Sequence, residues 1–100
     1  SDEEVIGVSY TYKKGTFKRD AFIKDVAKHK AQVDSLKQAE AFMSGITYKV
    51  KYTFPRKIKS TSVEDATFSL DGKTLELQRN FIDYMKNPDV LDIEVVLEKE

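Results

Sequence analysis

The chain has one hundred residues, 17 basic and 17 acidic side chains, one His, no Cys and no Trp. That length predicts one domain over residues 1–100, and 34% charged against 40% apolar residues predicts a small core under a heavily charged surface. Absent Cys excludes a disulfide framework, a zinc ribbon and a thiol nucleophile; zero net charge removes bulk attraction to nucleic acid, and no apolar run approaches the ~20 residues of a membrane span.

Residues 5–12 alternate, with Ile6, Val8, Tyr10 and Tyr12 on one face and Gly7, Ser9 and Thr11 on the other, which predicts a half-buried strand. Residues 1–4 read as a flexible acidic tail ahead of it. Lys14-Gly15 ends the strand as a turn. A long helix is expected from about Lys18 to Ser44. Its stripe runs Phe22, Val26, His29, Val33, Leu36, Ala39 and Met43 in steps of three and four. Asp20 or Thr16 is placed to cap its start, and Gly45 suits its end. Ser35-Leu36-Lys37-Gln38 also reads as a capping box, so a break near Asp34 is the alternative to one helix with a kink.

Residues 46–54 alternate most cleanly. Ile46, Tyr48, Val50, Tyr52 and Phe54 point one way and Thr47, Lys49, Lys51 and Thr53 the other, a strand with one dry and one wet face that ends at Pro55. After an irregular stretch over 56–65, Asp71-Gly72 sits between two short alternating runs. A two-residue type I′ loop there sets Phe68 opposite Leu75 and Ala66 opposite Leu77. Asn80 caps a short helix to Lys86, and Asn87-Pro88 stops it. Residues 92–98 form a last strand with Ile93, Val95 and Leu97 inward and Asp92, Glu94 and Glu98 outward. The expected fold is α+β: an antiparallel or mixed sheet of four to five strands with one long helix on one face, either ferredoxin-like or cystatin-like.

Charge is uneven beneath the zero sum. Residues 1–45 carry 8 basic and 7 acidic side chains, a net +1. Residues 46–61 carry Lys49, Lys51, Arg56, Lys57 and Lys59 and no acid, a net +5; residues 62–100 carry 4 basic and 10 acidic side chains, a net −6. Lys49 and Lys51 point away from the aromatics of their strand, so no stacking platform for nucleic-acid bases forms on one face. Cross-strand pairing with Glu76, Glu94 or Glu98 is the expected fate of these lysines. Arg56, Lys57 and Lys59, beyond Pro55, are the cations expected to escape pairing and to contact a ligand or partner.

Catalytic chemistry is sparse. His29 falls at the helix's core edge with its polar tip expected in solvent, and no nucleophile or orienting acid is assembled beside it. Glu64-Asp65 and Asp2-Glu3-Glu4 lack calcium-loop spacing, so no metal or other cofactor is expected. Asp92 and Glu94 share a strand face; a carboxylate-based enzyme needs one of them to face another acid in a cleft.

One ordered series is distinctive. It runs Tyr52-Thr-Phe-Pro-Arg-Lys-Ile-Lys-Ser-Thr-Ser62, then Ala66-Thr-Phe-Ser-Leu-Asp-Gly-Lys-Thr-Leu75, then Phe81-Ile-Asp-Tyr-Met-Lys-Asn-Pro88. Over residues 46–97 it resembles the C-terminal domain of Bacteroidota cell-envelope lipoproteins of unknown function. The resemblance implies an exported domain, lipid-anchored through a Cys upstream of Ser1, in the periplasm or on the outer-membrane surface. Ser1-Asp2-Glu3-Glu4 is similar to the acidic tag that follows such a Cys, and a chain starting at Ser rather than Met fits a removed signal. The expectation is a non-catalytic domain binding a lipid or a protein at the envelope, by way of an apolar groove between the long helix and the sheet face of Tyr48, Tyr52 and Phe54. The rival is a purely structural or interaction module of a larger lipoprotein.

Overall fold

A computed structural model describes residues 5–99; the expected tail at 1–4 lies outside them. In chain order the elements are β1 (Ile6–Lys13), β2 (Thr16–Ile23), α1 (Val26–Leu36), a 3-10 turn (Lys37–Ala39), α2 (Glu40–Met43), β3 (Thr47–Thr53), β4 (Ile58–Thr61), β5 (Thr67–Phe68), β6 (Thr74–Asn80), α3 (Phe81–Lys86), a second 3-10 turn (Pro88–Leu91) and β7 (Ile93–Leu97). The fold is α+β. Its strands form two antiparallel sheets, one ordered β1-β2-β7-β4 and the other β3-β6-β5.

The first departure from expectation is β2. Lys14 (φ 53°) and Gly15 (φ 77°) form a two-residue hairpin turn with both residues left-handed, so the chain doubles back instead of entering a helix. In β2 the inward positions fall to Phe17, Arg19 and Ala21, paired with Tyr12, Tyr10 and Val8. An Arg at the central inward position hides the alternation. Phe22 belongs to the other face, where it lies across from Gly7 and packs over it: a Cβ on Gly7 would sit 2.5 Å from the Phe22 ring.

The helix starts at Val26, capped by Asp25 rather than by Asp20 or Thr16; the Asp25 carboxylate accepts from Lys28 N–H. It runs to Met43 through the 3-10 turn, so the continuous reading holds with a tightened turn after Leu36. Val26 is exposed, whereas His29, Val33, Leu36, Ala39 and Met43 face inward. The segment docks on α3. The buried His29 ring donates from Nε2 to the Met85 carbonyl at 2.8 Å, so its polar tip is not in solvent. Lys86 pairs with Glu40 beside it.

The later elements follow local rules. Phe68 pairs with Leu75 as the alternation requires. The turn between them differs from type I′, because Gly72 is left-handed (φ 74°) and Asp71 is not. Gly72 N–H donates to the Ser69 carbonyl, and the Asp71 carboxylate accepts from Ser69 Oγ and Lys73 N–H, which holds Asp71 in an ordinary turn conformation. Asn80 caps α3 by accepting from Asp83 N–H, and Pro88 opens the following 3-10 turn.

The two sheets share one core, built from Leu75 and Leu77 of β6, Ile93, Val95 and Leu97 of β7, and Phe54, Tyr84 and Leu91. Charge compensation follows the sheet order. Glu76 stands opposite Lys51 and 3.8 Å from Lys49. Glu94 lies in the other sheet, across from Lys18, and Glu98 engages through its backbone, its carbonyl accepting from Arg56 and its N–H donating to the Lys57 carbonyl. Of the three acids expected to meet the β3 lysines, Glu76 does so.

Candidate functional site

The β1–β2 hairpin brings Tyr10, Tyr12 and Phe17 to the inward face of the first sheet, and β3 brings Tyr52 to the facing side of the second. The rings interlock across the gap. Phe17 lies 4.8 Å from Tyr52 and 5.3 Å from Phe54, centroid to centroid, and Tyr10 meets Phe17 at 5.9 Å and the edge of Tyr52 at 6.3 Å. Beside this cluster opens a solvent-facing groove of about 360 Å³, lined by Tyr12, Phe17, Tyr52, Phe54, Pro55, Thr53 and Lys51. Tyr10 and Tyr12 remain about half exposed at its margin, at 55% and 53%. The groove expected between helix and sheet therefore opens between the hairpin and β3. Tyr48 takes no part in it and instead stacks on Tyr84 at 4.5 Å.

Arg19 lies beneath the tyrosines with 3% of its surface exposed. Its guanidinium faces the hydroxyls of Tyr10, Tyr52 and Tyr84 and pairs with Asp92 at 3.5 Å. Arg19 Nε and Nη1 and the Tyr52 hydroxyl make no hydrogen bond of good geometry. Burial pushes the Tyr52 hydroxyl well above the usual tyrosine range, and the neighbouring Tyr10 adds to the shift against the opposing pull of Arg19. Burial also raises Tyr84. Both phenols stay protonated at neutral pH; the groove itself offers the aromatic faces of Tyr12, Phe17, Tyr52 and Phe54, the Thr53 hydroxyl and the Lys51 ammonium.

Asp92 and Glu94 border a separate cleft of about 270 Å³ with Lys18, Asp20 and Ser62. Their side chains and backbone are already engaged there. Asp92 Oδ1 accepts from Ala21 N–H at 2.8 Å and faces Arg19, while Glu94 N–H donates to Ser62 Oγ. Asp65 forms a two-pronged pair with Arg79, at 2.8 and 3.2 Å. Among the described residues no group of three or more His, Asp or Glu is arranged to hold a metal; Asp2, Glu3 and Glu4 lie outside them.

Arg56 and Lys57 gather at the end of the molecule where both tight turns meet the C-terminal strand. Arg56 donates to the Glu98 carbonyl at 3.0 Å and lies over Gly15; the Lys57 carbonyl accepts from Glu98 N–H, and its side chain lies beside Gly72. Lys59 is exposed on β4. Pro55, next to Arg56, closes one end of the groove. The sequence reading had Tyr12, Tyr52 and Phe54 on inward faces but missed Phe17 and Lys51 as groove residues. The signal for Phe17 was the two-residue Lys14-Gly15 turn, which sets Phe17 opposite Tyr12.

No protein-family model matches the chain, and neither does any curated protein or solved structure.

Proposed function

We propose that the chain is a non-catalytic domain of the cell envelope that binds a protein segment in the groove between the β1–β2 hairpin and β3. One observation carries the reading: about 360 Å³ of aromatic-walled space stands open beside two half-exposed tyrosines. An aromatic surface of this kind on a heavily charged domain is where burial by a partner gains most. The way the reactive groups are used supports the non-catalytic part of this reading. His29 is held by Met85, Asp92 by Ala21 and Arg19, and Tyr52 keeps its proton. The address, an exported domain lipid-anchored through an upstream Cys, rests on the resemblance over residues 46–97.

A second reading is an acyl chain in the same groove with its headgroup against Lys51, favoured by the apolar lining of Phe17, Phe54 and Pro55. Native mass spectrometry of the protein purified from its own envelope separates the two. A co-purified polypeptide that is lost on Tyr12→Ala supports protein binding. A co-purified lipid lost on the same substitution supports the second reading. A partner that survives Tyr12→Ala and Phe17→Ala overturns the groove as the site.

A further inference from the structure

We infer that the groove takes its partner as an added strand: an extended, acid-bearing segment of another protein that pairs with the free edge of β1. The inference rests on the groove reading above and specifies how the partner is held. Among the described residues β1 is the outer strand of its sheet and pairs with β2 alone. A two-residue turn closes on a hydrogen-bonded pair, here Lys13 and Thr16, and such pairs alternate along an antiparallel ladder. Consistent with this phase, Lys24 N–H donates to the Val5 carbonyl at the far end. The main-chain N–H and C=O groups of Ile6, Val8, Tyr10 and Tyr12 therefore point away from β2, along an open edge. The side chains of Tyr10 and Tyr12 reach from the same positions to the groove margin.

The other sheet edges carry features that discourage pairing, and β1 does not. β4 is interrupted by a bulge between Ile58 and Ser60, carries Lys59 at that bulge and is preceded by Lys57. β5 is two residues long, and β3 carries Lys49 and Lys51 along its middle. β1 runs eight residues in unbroken register, with no Pro and with Lys13 at its end as its one charge.

Charge selects the occupant. Residues 5–19 and 41–63 contain no acid, and Lys13, Lys14 and Lys51 stand around the groove and the end of β1. A second copy offering its own β1 would bring more lysine and no carboxylate. A segment alternating apolar residues with Asp or Glu fits both: its apolar side chains cover Tyr10 and Tyr12, and its acids fall on the opposite face of the sheet, beside Lys13.

The test is selection of a phage-displayed random dodecapeptide library on the full chain, followed by a synthetic peptide of the enriched sequence. The expected peptides alternate apolar and polar residues, carry Asp or Glu and lack Pro. On binding, amide exchange at Val8, Tyr10 and Tyr12 slows. Val8→Pro, which deletes an outward N–H without breaking the β1–β2 ladder, weakens binding by about tenfold or more, and Lys13→Gln weakens it by about threefold with a shallower salt dependence. Circular dichroism confirms that each variant folds; if Val8→Pro does not fold, Val8→Lys, which guards the same edge with a charge, replaces it. Enriched peptides that lose binding on Tyr12→Ala but not on Val8→Pro overturn strand addition and leave the groove reading standing. Failure to enrich any peptide overturns the inference, as does self-association that protects the β1 amides.

Discussion

Lys14 holds φ 53° in the β1–β2 turn, where the described residues of positive φ are otherwise the glycines at positions 15 and 72. A Cβ in the left-handed region costs about 1–2 kcal/mol, and Asn tolerates it better than Lys. Lys14→Asn converts the turn to Asn-Gly and is expected to stabilise the chain by about 1 kcal/mol, which raises Tm by about 4–8 °C in a domain of this size; calorimetry that shows no rise would place the strain elsewhere. Asp92 supplies a second residue-scale outcome. Burial holds its carboxyl above the usual aspartate range, against the opposing pulls of Ala21 N–H and Arg19. A raised folded pKa means that the native state keeps a proton the unfolded chain has released. The contribution of this group is therefore fully present below the ordinary aspartate pKa and is lost as pH rises through the folded value. Asp71 shifts the other way, lowered by Ser69 Oγ and Lys73 N–H. In a carbon-detected NMR titration Asp92 should titrate at higher pH than Asp71, and the reverse order would contradict the burial assigned to Asp92.

At the scale of elements, the helical segment from Val26 to Met43 is fastened at one buried polar contact. His29 Nε2–H donates to the Met85 carbonyl in the last turn of α3. His29→Ala leaves that carbonyl without its donor and should cost about 1–3 kcal/mol. Hydrogen exchange should quicken across Val26–Met43 more than in β6 and β7, while His29→Gln, which keeps a donor, loses less; uniform quickening would mean that the helix is not separately docked. The elements whose rules are local were legible in the sequence: the alternation of β3, the Asn80 cap of α3, the Phe68–Leu75 register and the inward face of β7. β2 was not, because Arg19 occupies an inward position and Phe22 and Val26 share the spacing of a helix face. The division into two sheets was also hidden. β7, last in the chain, inserts between β2 and β4, and that choice is set by which apolar faces meet in three dimensions rather than by any short stretch. For the same reason the sequence marked the inward faces of Tyr12 and Tyr52 but not the groove that forms where they converge.

The whole molecule is elongated, 49 × 26 × 21 Å, with a radius of gyration of 15.6 Å against about 13 Å for a typical compact domain of this length. Such a shape with two sheets invites the question of whether each sheet is stable alone. The core answers it. Leu75 and Leu77 of the second sheet and Val95 of the first are almost completely buried, in one cluster. Among the described residues neither sheet has another apolar face of that quality, since Phe22 in the first and Phe68 in the second stand about half in solvent. Unfolding is therefore expected as a single transition, in which amide signals from β1 and β3 disappear at one denaturant midpoint. Leu75→Ala removes a fully buried side chain between the sheets and should cost about 2–5 kcal/mol, a large share of the ~5–15 kcal/mol that such domains possess. Both sets of signals should shift to the same lower midpoint. Leu70→Ala, on a fully exposed leucine of the turn, should change stability by less than about 0.5 kcal/mol. If Leu75→Ala instead separates the two midpoints, with β3 lost before β1, the first sheet draws its stability from contacts outside the shared core, and the β1 edge persists as a pairing surface after the groove has gone.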